Sequence, residues 1–238
     1  MQEELKVKGI IISTAPQGEY GKRINLLTDR LGRITVFATG AAKVKSHVIG
    51  LIRPMTCAEF TLAKGRSAWN LRGAQLIEGF DALAMDVEAS VYAAYVLEAA
   101  DYFSESGMPE QEAKNLLNLI YVTLQALEQK SLEPEMVRRI YELRLLKLQG
   151  EYTEAPEAEQ DERVRELWQH ALHSPLTKLY TGDVLRDPAG KNAQPPQTYP
   201  GTEGKYESAV SAFSESVHSL FLRQVPHHFK SLDILREM

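Results

Sequence analysis

Cysteine is almost absent from this 238-residue sequence, in which Cys57 is the single example. One cysteine allows neither an internal disulfide nor a zinc site built from several cysteines. Long apolar runs are also missing, because stretches such as residues 9–12 and 91–96 fall far short of the roughly 20 residues that cross a bilayer. The first residues lack the basic start and apolar segment of a secretory signal. We therefore predict a cytoplasmic protein with no membrane partner, no metal and no other cofactor.

Short catalytic signatures are missing as well. The sequence holds no phosphate-binding loop, no dinucleotide fingerprint, no nucleophile elbow and no zinc-protease helix. His170 and His173 would share a helix face with Glu166, but such a set on a polar helix is usually solvated, and no cysteine completes it. A nuclease would need clustered carboxylates and a metal. The sequence therefore predicts a protein that is not an enzyme.

Basic residues are outnumbered by acidic ones, since the sequence has 27 Lys and Arg and 32 Asp and Glu, for a net charge of −5. Such a balance is unpromising for a nucleic-acid binder, because Lys and Arg contacts with phosphates supply most non-specific affinity. The charge is unevenly spread, however. Residues 1–80 hold 12 Lys and Arg against 6 Asp and Glu, whereas residues 81–238 hold 15 against 26. We expect a basic working surface in front and an acidic body behind it.

Short segments rich in β-branched and aromatic residues, separated by Gly, Pro and Asn, fill the first 80 residues. This texture predicts consecutive strands. In the fourth segment, Ala58, Phe60 and Leu62 alternate with more polar neighbours, so one strand face belongs to the core. We predict five strands, at residues 5–13, 22–28, 33–38, 55–63 and 68–77.

The links between these segments indicate a topology. Residues 29–32 and 64–67 are glycine-containing links of four residues, suited to hairpins. Residues 39–54 form a longer link with room for a short helix at 41–48. Three strands, a crossing segment and a two-stranded hairpin predict a five-stranded Greek-key barrel of the OB type, with an SH3-like barrel as the alternative.

Helix-period stretches begin after Phe80 and predict a second domain. We expect helices around residues 87–96, 116–127, 161–173 and 206–225, and one from Pro134 to a stop at Gly150. Residues 174–205 hold five of the 11 prolines and four glycines, so we expect them to be irregular. The predicted fold class is α+β, with an OB-fold DNA-binding domain over residues 1–80 and an α-helical domain over residues 81–238.

Basic residues cluster where an OB barrel binds oligonucleotides, which is on strands two and three and in the loops joining strands one to two and four to five. Their side chains suit phosphate contact, and the alternative for any one of them is a solvated surface charge. Phe37 shares strand parity with Arg33, so its ring is a candidate platform for stacked bases, as is that of Tyr20. Trp69 shares a face with Leu71 and is assigned to the core. The predicted DNA-binding residues are Lys22, Arg23, Arg30, Arg33, Phe37, Lys43, Lys45, Arg53, Lys64 and Arg66.

Several segments resemble a known family. Residues 18–34, with the sequence GEYGKRINLLTDRLGRI, are similar to the corresponding stretch of RecO DNA repair proteins. Residues 38–46 and 50–55 resemble the family's Lys/Arg-flanked Gly-Ala segment and its step into the fourth strand. Residues 141–150 resemble the helix end before the family's usual zinc site, and residues 230–235, KSLDIL, its C-terminal signature. The likeness covers most of the chain.

The resemblance implies a recombination mediator with an N-terminal OB fold, a helical C-terminal domain and no catalytic turnover. Such a protein binds single- and double-stranded DNA and anneals complementary strands. With RecR it helps load RecA onto DNA coated by single-stranded DNA-binding protein, whose acidic C-terminal tail it grips. A bacterial, nucleoid-associated location follows. The same resemblance makes Arg23, Arg33, Lys43, Lys45 and Arg53 the leading DNA contacts.

One departure from the family pattern concerns zinc. Many members place four cysteines after the segment matched by residues 141–150, and this chain has none there. We therefore expect no zinc, and a local fold at residues 151–205 that is specific to this branch.

An acidic peptide would need positive charge beside an apolar pocket of the helical domain. The basic residues that interrupt this acidic body are the natural candidates, although some will only form pairs along a helix. The alternative function is a protein-interaction adaptor whose barrel docks acidic peptides. The candidate partner-peptide residues are Arg138, Arg139, Arg144 and Arg223.

Overall fold

The computed structural model describes residues 4–39, 48–150, 162–181 and 203–238 of the chain. The chain divides into two compact units. Met1–Glu128 and Phe229–Met238 form the first, here called the barrel unit. Gln129–His228 form the second, the helical unit.

The barrel contains five strands: β1 (Glu4–Gln17), β2 (Gly21–Thr28), β3 (Gly32–Ala38), β4 (Cys57–Lys64) and β5 (Trp69–Glu78). They close it in the order β1-β2-β3-β5-β4. The β3 and β5 strands pair in parallel, while the other neighbouring strands are antiparallel. This closed five-stranded order, with β1 shared between β2 and β4, is the OB-type Greek key and not the SH3-like alternative. The prediction of five strands is confirmed.

Alternation of apolar and polar residues fills the barrel. Ile34 and Val36 point into the core, while Thr35 between them is exposed. Phe60 and Leu62 are buried as expected, and Trp69 packs against the same core, which confirms its assignment. In β1 the register shifts between Ile11 and Ser13, so one extra residue bends the strand. That bend lets β1 pair with β2 along one half and with β4 along the other.

Three helices follow the barrel in sequence: α1 (Asp81–Met85), α2 (Val87–Phe103) and α3 (Glu110–Glu128). Asp86 accepts a hydrogen bond from the Ala89 amide and so caps α2. Val87, the first residue of α2, points to solvent and is 74% exposed. Tyr92, Tyr95 and Val96 form the buried face instead.

The link between α2 and α3 is fastened to the start of β3. The Arg33 amide donates to the Glu105 carbonyl at 3.0 Å, and the Gly107 amide donates to the Leu31 carbonyl at 3.2 Å. Gly32 has φ +66°, and a Cβ there would lie 2.3 Å from the Glu105 carbonyl oxygen. Only glycine permits this approach.

A C-terminal helix, α7 (Lys230–Glu237), returns to the barrel unit and packs on α2. The Glu98 carboxylate accepts the amides of Lys230 and Ser231 at 2.9 and 3.0 Å, and the Ser231 hydroxyl at 2.6 Å. Phe229 is buried edge-on against Tyr95. Our sequence predictions missed α7 because its eight residues are too few for a convincing period.

The helical unit contains α4 (Pro134–Leu148), α5 (Glu162–His173) and α6 (Glu203–Gln224). The predicted start at Pro134 and stop at Gly150 are confirmed, and Gly150 has φ +75°. Fully buried Trp168 on α5 meets Phe213 of α6 edge-on. Of the segment predicted to be irregular, residues 182–202 lie outside the described residues, and a short 3-10 helix occupies Leu176–Lys178.

Across the ranges that the structure describes, no helix is long and apolar enough to span a bilayer.

Candidate nucleic-acid interface

The start of β2, the end of β3 and the β4–β5 turn form a basic, exposed part of the barrel wall. Arg23 on β2 lies directly opposite Phe37 on β3. The next strand, β5, begins beside β3 with Trp69 paired to Val36, and Trp69 in turn lies opposite Lys64. Three strand spacings of about 4.8 Å separate β2 from β4 along this path, which places Arg23 and Lys64 within roughly 15 Å of each other. We call Lys22, Arg23, Phe37, Lys64 and Arg66 the basic barrel surface.

The cations of the basic barrel surface are available to a ligand. Arg23, Lys64 and Arg66 are exposed and form no ion pair with any residue in the described ranges. The Lys22 ammonium donates one hydrogen bond to the Ile52 carbonyl at 2.9 Å. Since an ammonium group has three donors, two of them remain for another acceptor.

A recess of about 360 Å³ opens between the β1–β2 turn and the end of β3. Phe37 is partly buried there, and Tyr20 is 47% exposed. The Tyr20 hydroxyl hydrogen-bonds Glu19, which raises the pKa of Tyr20. The lining combines two aromatic residues with one basic and one acidic residue, and includes Gln17, Glu19, Tyr20, Lys22, Phe37 and Thr39.

Arg33 lies on the same outer face of β3 as Phe37 but four residues away, or about 13 Å. Its Nη1 donates to Asp101 Oδ1 at 3.0 Å, and its Nε donates to the Ser104 carbonyl at 3.0 Å. The same Asp101 oxygen accepts a hydrogen bond from Asn25. The C-terminal end of α2 therefore holds the Arg33 guanidinium.

The remaining predicted cations of the barrel unit are dispersed. Arg53 forms an ion pair with Asp81, the first residue of α1. Arg30 is exposed in the β2–β3 turn, beyond Arg33. Lys43 and Lys45, which we predicted as DNA contacts, lie outside the described residues.

Comparison with known proteins identifies the family of the chain. The family model described as Recombination protein O N terminal matches residues 1–80, the span of the barrel. The model described as Recombination protein O C terminal matches residues 84–186. The chain belongs to the RecO family.

Curated relatives of this RecO chain carry the name DNA repair protein RecO. The one from Alkaliphilus metalliredigens is 31% identical over 146 residues, which is 61% of this chain and 58% of the relative. The one from Exiguobacterium sibiricum is 33% identical over 145 residues, covering 61% and 57%. The chain thus matches less than two thirds of the length of these relatives.

In the helical unit of this RecO protein, two predicted peptide contacts belong to an internal charge network. Arg139 is 5% exposed, and its Nη1 donates to Glu142 Oε2 at 2.8 Å, where Glu142 is 1% exposed. Glu135 pairs with Arg138 at 2.6 Å and with Arg139 at 2.7 Å. Arg139 also approaches His218 Nδ1 at 2.9 Å. Burial lowers the pKa of His218, and the positive charge of Arg139 lowers it further.

The other two predicted peptide contacts differ from each other. Arg144 donates to the Leu172 carbonyl at 2.9 Å and to the Ser174 carbonyl, so it caps the end of α5. Arg223 is exposed in the last turn of α6 and engages no residue among those described. Of the four candidates, Arg223 alone leaves its guanidinium to solvent within the described part of the chain.

His170, one of the two histidines considered for a metal, has other partners. His170 hydrogen-bonds the Leu179 carbonyl through Nε2 at 3.1 Å and the Ser174 hydroxyl through Nδ1 at 2.6 Å. Burial lowers the pKa of His170. The described residues contain no group of three His, Cys, Asp or Glu side chains placed to hold a metal ion.

Sequence reasoning missed the acidic partners of the barrel arginines. Asp101 and Asp81 lie 68 and 28 residues from Arg33 and Arg53. No local motif marks such distant pairs. Once an OB topology is predicted, pairing of β3 with β5 is expected, and this pairing brings Phe37 near the β4–β5 turn. The recess beside Phe37 could not be expected in the same way.

Proposed function

We propose that this RecO protein binds single- and double-stranded DNA through the basic barrel surface and acts by binding, without catalytic turnover. As a recombination mediator it anneals complementary strands. Together with RecR it helps load RecA onto DNA coated by single-stranded DNA-binding protein. The relatives' name, DNA repair protein RecO, supports the process, and the barrel geometry supports the DNA site.

A single observation carries the proposal. Exposed Arg23, Lys64 and Arg66 have no described acidic partner, although the whole chain is acidic. They converge from β2 and the β4–β5 turn, which are the positions where OB barrels contact oligonucleotides. A Lys or Arg side chain without an internal partner can bind a DNA phosphate and release the counterion condensed on the DNA there. This counterion release drives affinity.

The test is charge reversal at the β4–β5 turn. Lys64→Glu with Arg66→Glu should lower affinity for a labelled oligo-dT and for a duplex by about tenfold or more at 0.1 M salt. Fluorescence anisotropy measures both affinities. Arg165→Glu with Lys178→Glu in the helical unit changes the net charge by the same amount at exposed positions and should change affinity much less.

Three outcomes of this test bear on the proposal. Equal losses in the two double variants would show that net charge, and not this surface, sets affinity, which would refute the proposal. Undetectable DNA binding by the unaltered protein would refute it too. If Lys64→Glu/Arg66→Glu lost DNA affinity but kept full activity in recombination, a peptide-docking adaptor would replace it.

For the acidic tail of single-stranded DNA-binding protein, we propose a contact on the helical unit at Arg223. Arg138, Arg139 and Arg144 support that unit through their internal bonds, and Arg223 offers an open guanidinium. Arg223→Glu should weaken binding of a peptide with that acidic tail, measured by calorimetry. Unchanged affinity would exclude Arg223.

A further inference from the structure

We infer that the recess beside Phe37 is a subsite for one unpaired nucleobase, with Phe37 as its stacking platform and Lys22 placed for the adjoining phosphate. The inference rests on the proposed function, because it names the part of the DNA that the barrel takes at this point. Its consequence is a preference for single strands over duplex.

Size and lining both suit one nucleotide. The recess measures about 360 Å³, near the lower end of the range of about 300–1,000 Å³ typical of small-ligand pockets. Two rings line it, Phe37 from β3 and Tyr20 from the β1–β2 turn. Aromatic faces stack on any base, so such a site accepts all four.

Charge orients the nucleotide in this recess. Lys22 lines it, and its ammonium donates one hydrogen bond to the Ile52 carbonyl, with two donors left for a phosphate oxygen. Arg23 is exposed directly across from Phe37 and extends the phosphate path along β2. Glu19 lines the recess near Tyr20 and repels phosphate, which leaves that side to the base.

Base pairing determines whether a base can enter the recess. In a duplex both faces of a base are covered by its neighbours, and only the base edges are open in the grooves. Placing a base on Phe37 then requires unstacking and unpairing, which costs a few kcal/mol for a paired base and least for one that is already single-stranded. The phosphate contacts of the basic barrel surface are open to both forms of DNA.

The experiment compares Phe37→Leu with Phe37→Trp and with Thr35→Ala, an exposed neighbour on the same strand face. Phe37→Leu keeps an apolar side chain for the barrel and removes the ring. We expect it to lower affinity for a single-stranded oligonucleotide by about 5- to 150-fold, the loss of one stacked base, with duplex affinity changed less than about twofold. Phe37→Trp should retain the affinity for single strands, and Thr35→Ala should resemble the unaltered protein.

A second readout follows the base itself. A 2-aminopurine placed at each position along the oligonucleotide should show altered fluorescence on binding the unaltered protein and not on binding Phe37→Leu. Equal loss of single-strand and duplex affinity in Phe37→Leu, or no loss in either, would overturn the inference. If the unaltered protein bound neither form with salt dependence, the proposed function would fail instead, so the two failures are distinguishable.

Discussion

The arginines of the basic barrel surface and those of α4 carry the same charge but have opposite surroundings. Arg23 and Arg66 lie in solvent without a described ionic partner. Arg138 and Arg139 are 11% and 6% exposed in their side chains and share the carboxylates of Glu135 and Glu142. The barrel arginines can bind DNA phosphates and release counterions from the DNA, whereas the arginines of α4 are already neutralised within the fold. Residue type alone therefore does not identify a binding site.

The strongest test of this comparison removes the buried cation of the α4 network. Arg139→Met should lower the free energy of unfolding of the helical unit by about 3–5 kcal/mol, because the Glu142 carboxylate would stay buried after losing its 2.8 Å bond to the Arg139 guanidinium. Urea titration followed by Trp168 fluorescence in a Trp69→Phe background reports this unit, since these are the chain's two tryptophans.

A double variant provides the control for Arg139→Met. Arg139→Met with Glu142→Leu removes both buried charges and should recover most of the lost stability. If the single variant lost less than about 1 kcal/mol of unfolding free energy, the network would contribute little to stability. The proposed contrast with the barrel arginines would then be wrong.

A smaller effect separates two arginines of the barrel unit. Arg23→Gln should weaken binding to a single strand and reduce the salt slope of affinity by about 0.7, with unchanged stability. Arg33→Gln should do the reverse, costing about 1 kcal/mol of stability through its lost bonds to Asp101 and Ser104 while the slope holds. Equal slope changes in both variants would establish Arg33 as a phosphate contact and contradict this division.

The smallest expected effect is a pH dependence confined to the helical unit. His218 and His170 have lowered pKa values in the folded chain, so the unfolded chain binds protons more readily. Their stabilising contribution is complete above the unfolded value of about 6.5 and is lost as the pH falls through the folded values. The urea midpoint reported by Trp168 should therefore decrease between pH 7.5 and 5.5, and less steeply in His218→Gln. An unchanged midpoint would contradict it.

Local patterns predicted the barrel well. Alternation in β3 and β4 and the two glycine-containing turns were sufficient for the OB topology, because strand faces and hairpins are decided by near neighbours. The helix from Pro134 to Gly150 followed from its end signals. Short α1 and α7 carried too few residues for a period, and α7 depends on Glu98, which is 132 residues away from Lys230.

The candidate site was only partly predictable. Strand parity placed Phe37 and Arg33 on the outer face, as the structure has them. Parity could not reveal that α2 brings Asp101 to Arg33, because this contact depends on how the helix packs on the barrel. The same limit applied to Arg139, whose burial is set by α6 through Ser214 and His218.

The central claim is that phosphates bind where the barrel leaves its cations unpaired. The most direct test is the slope of log affinity against log salt for oligo-dT, measured for the unaltered protein and for Arg23→Gln/Lys64→Gln/Arg66→Gln. Each neutralised phosphate of a single strand contributes about −0.7 to this slope. We therefore predict a slope of about −2 or steeper for the unaltered protein, and a slope less steep by about 2 for the triple variant. An equally steep slope in both proteins, or none in either, would contradict it.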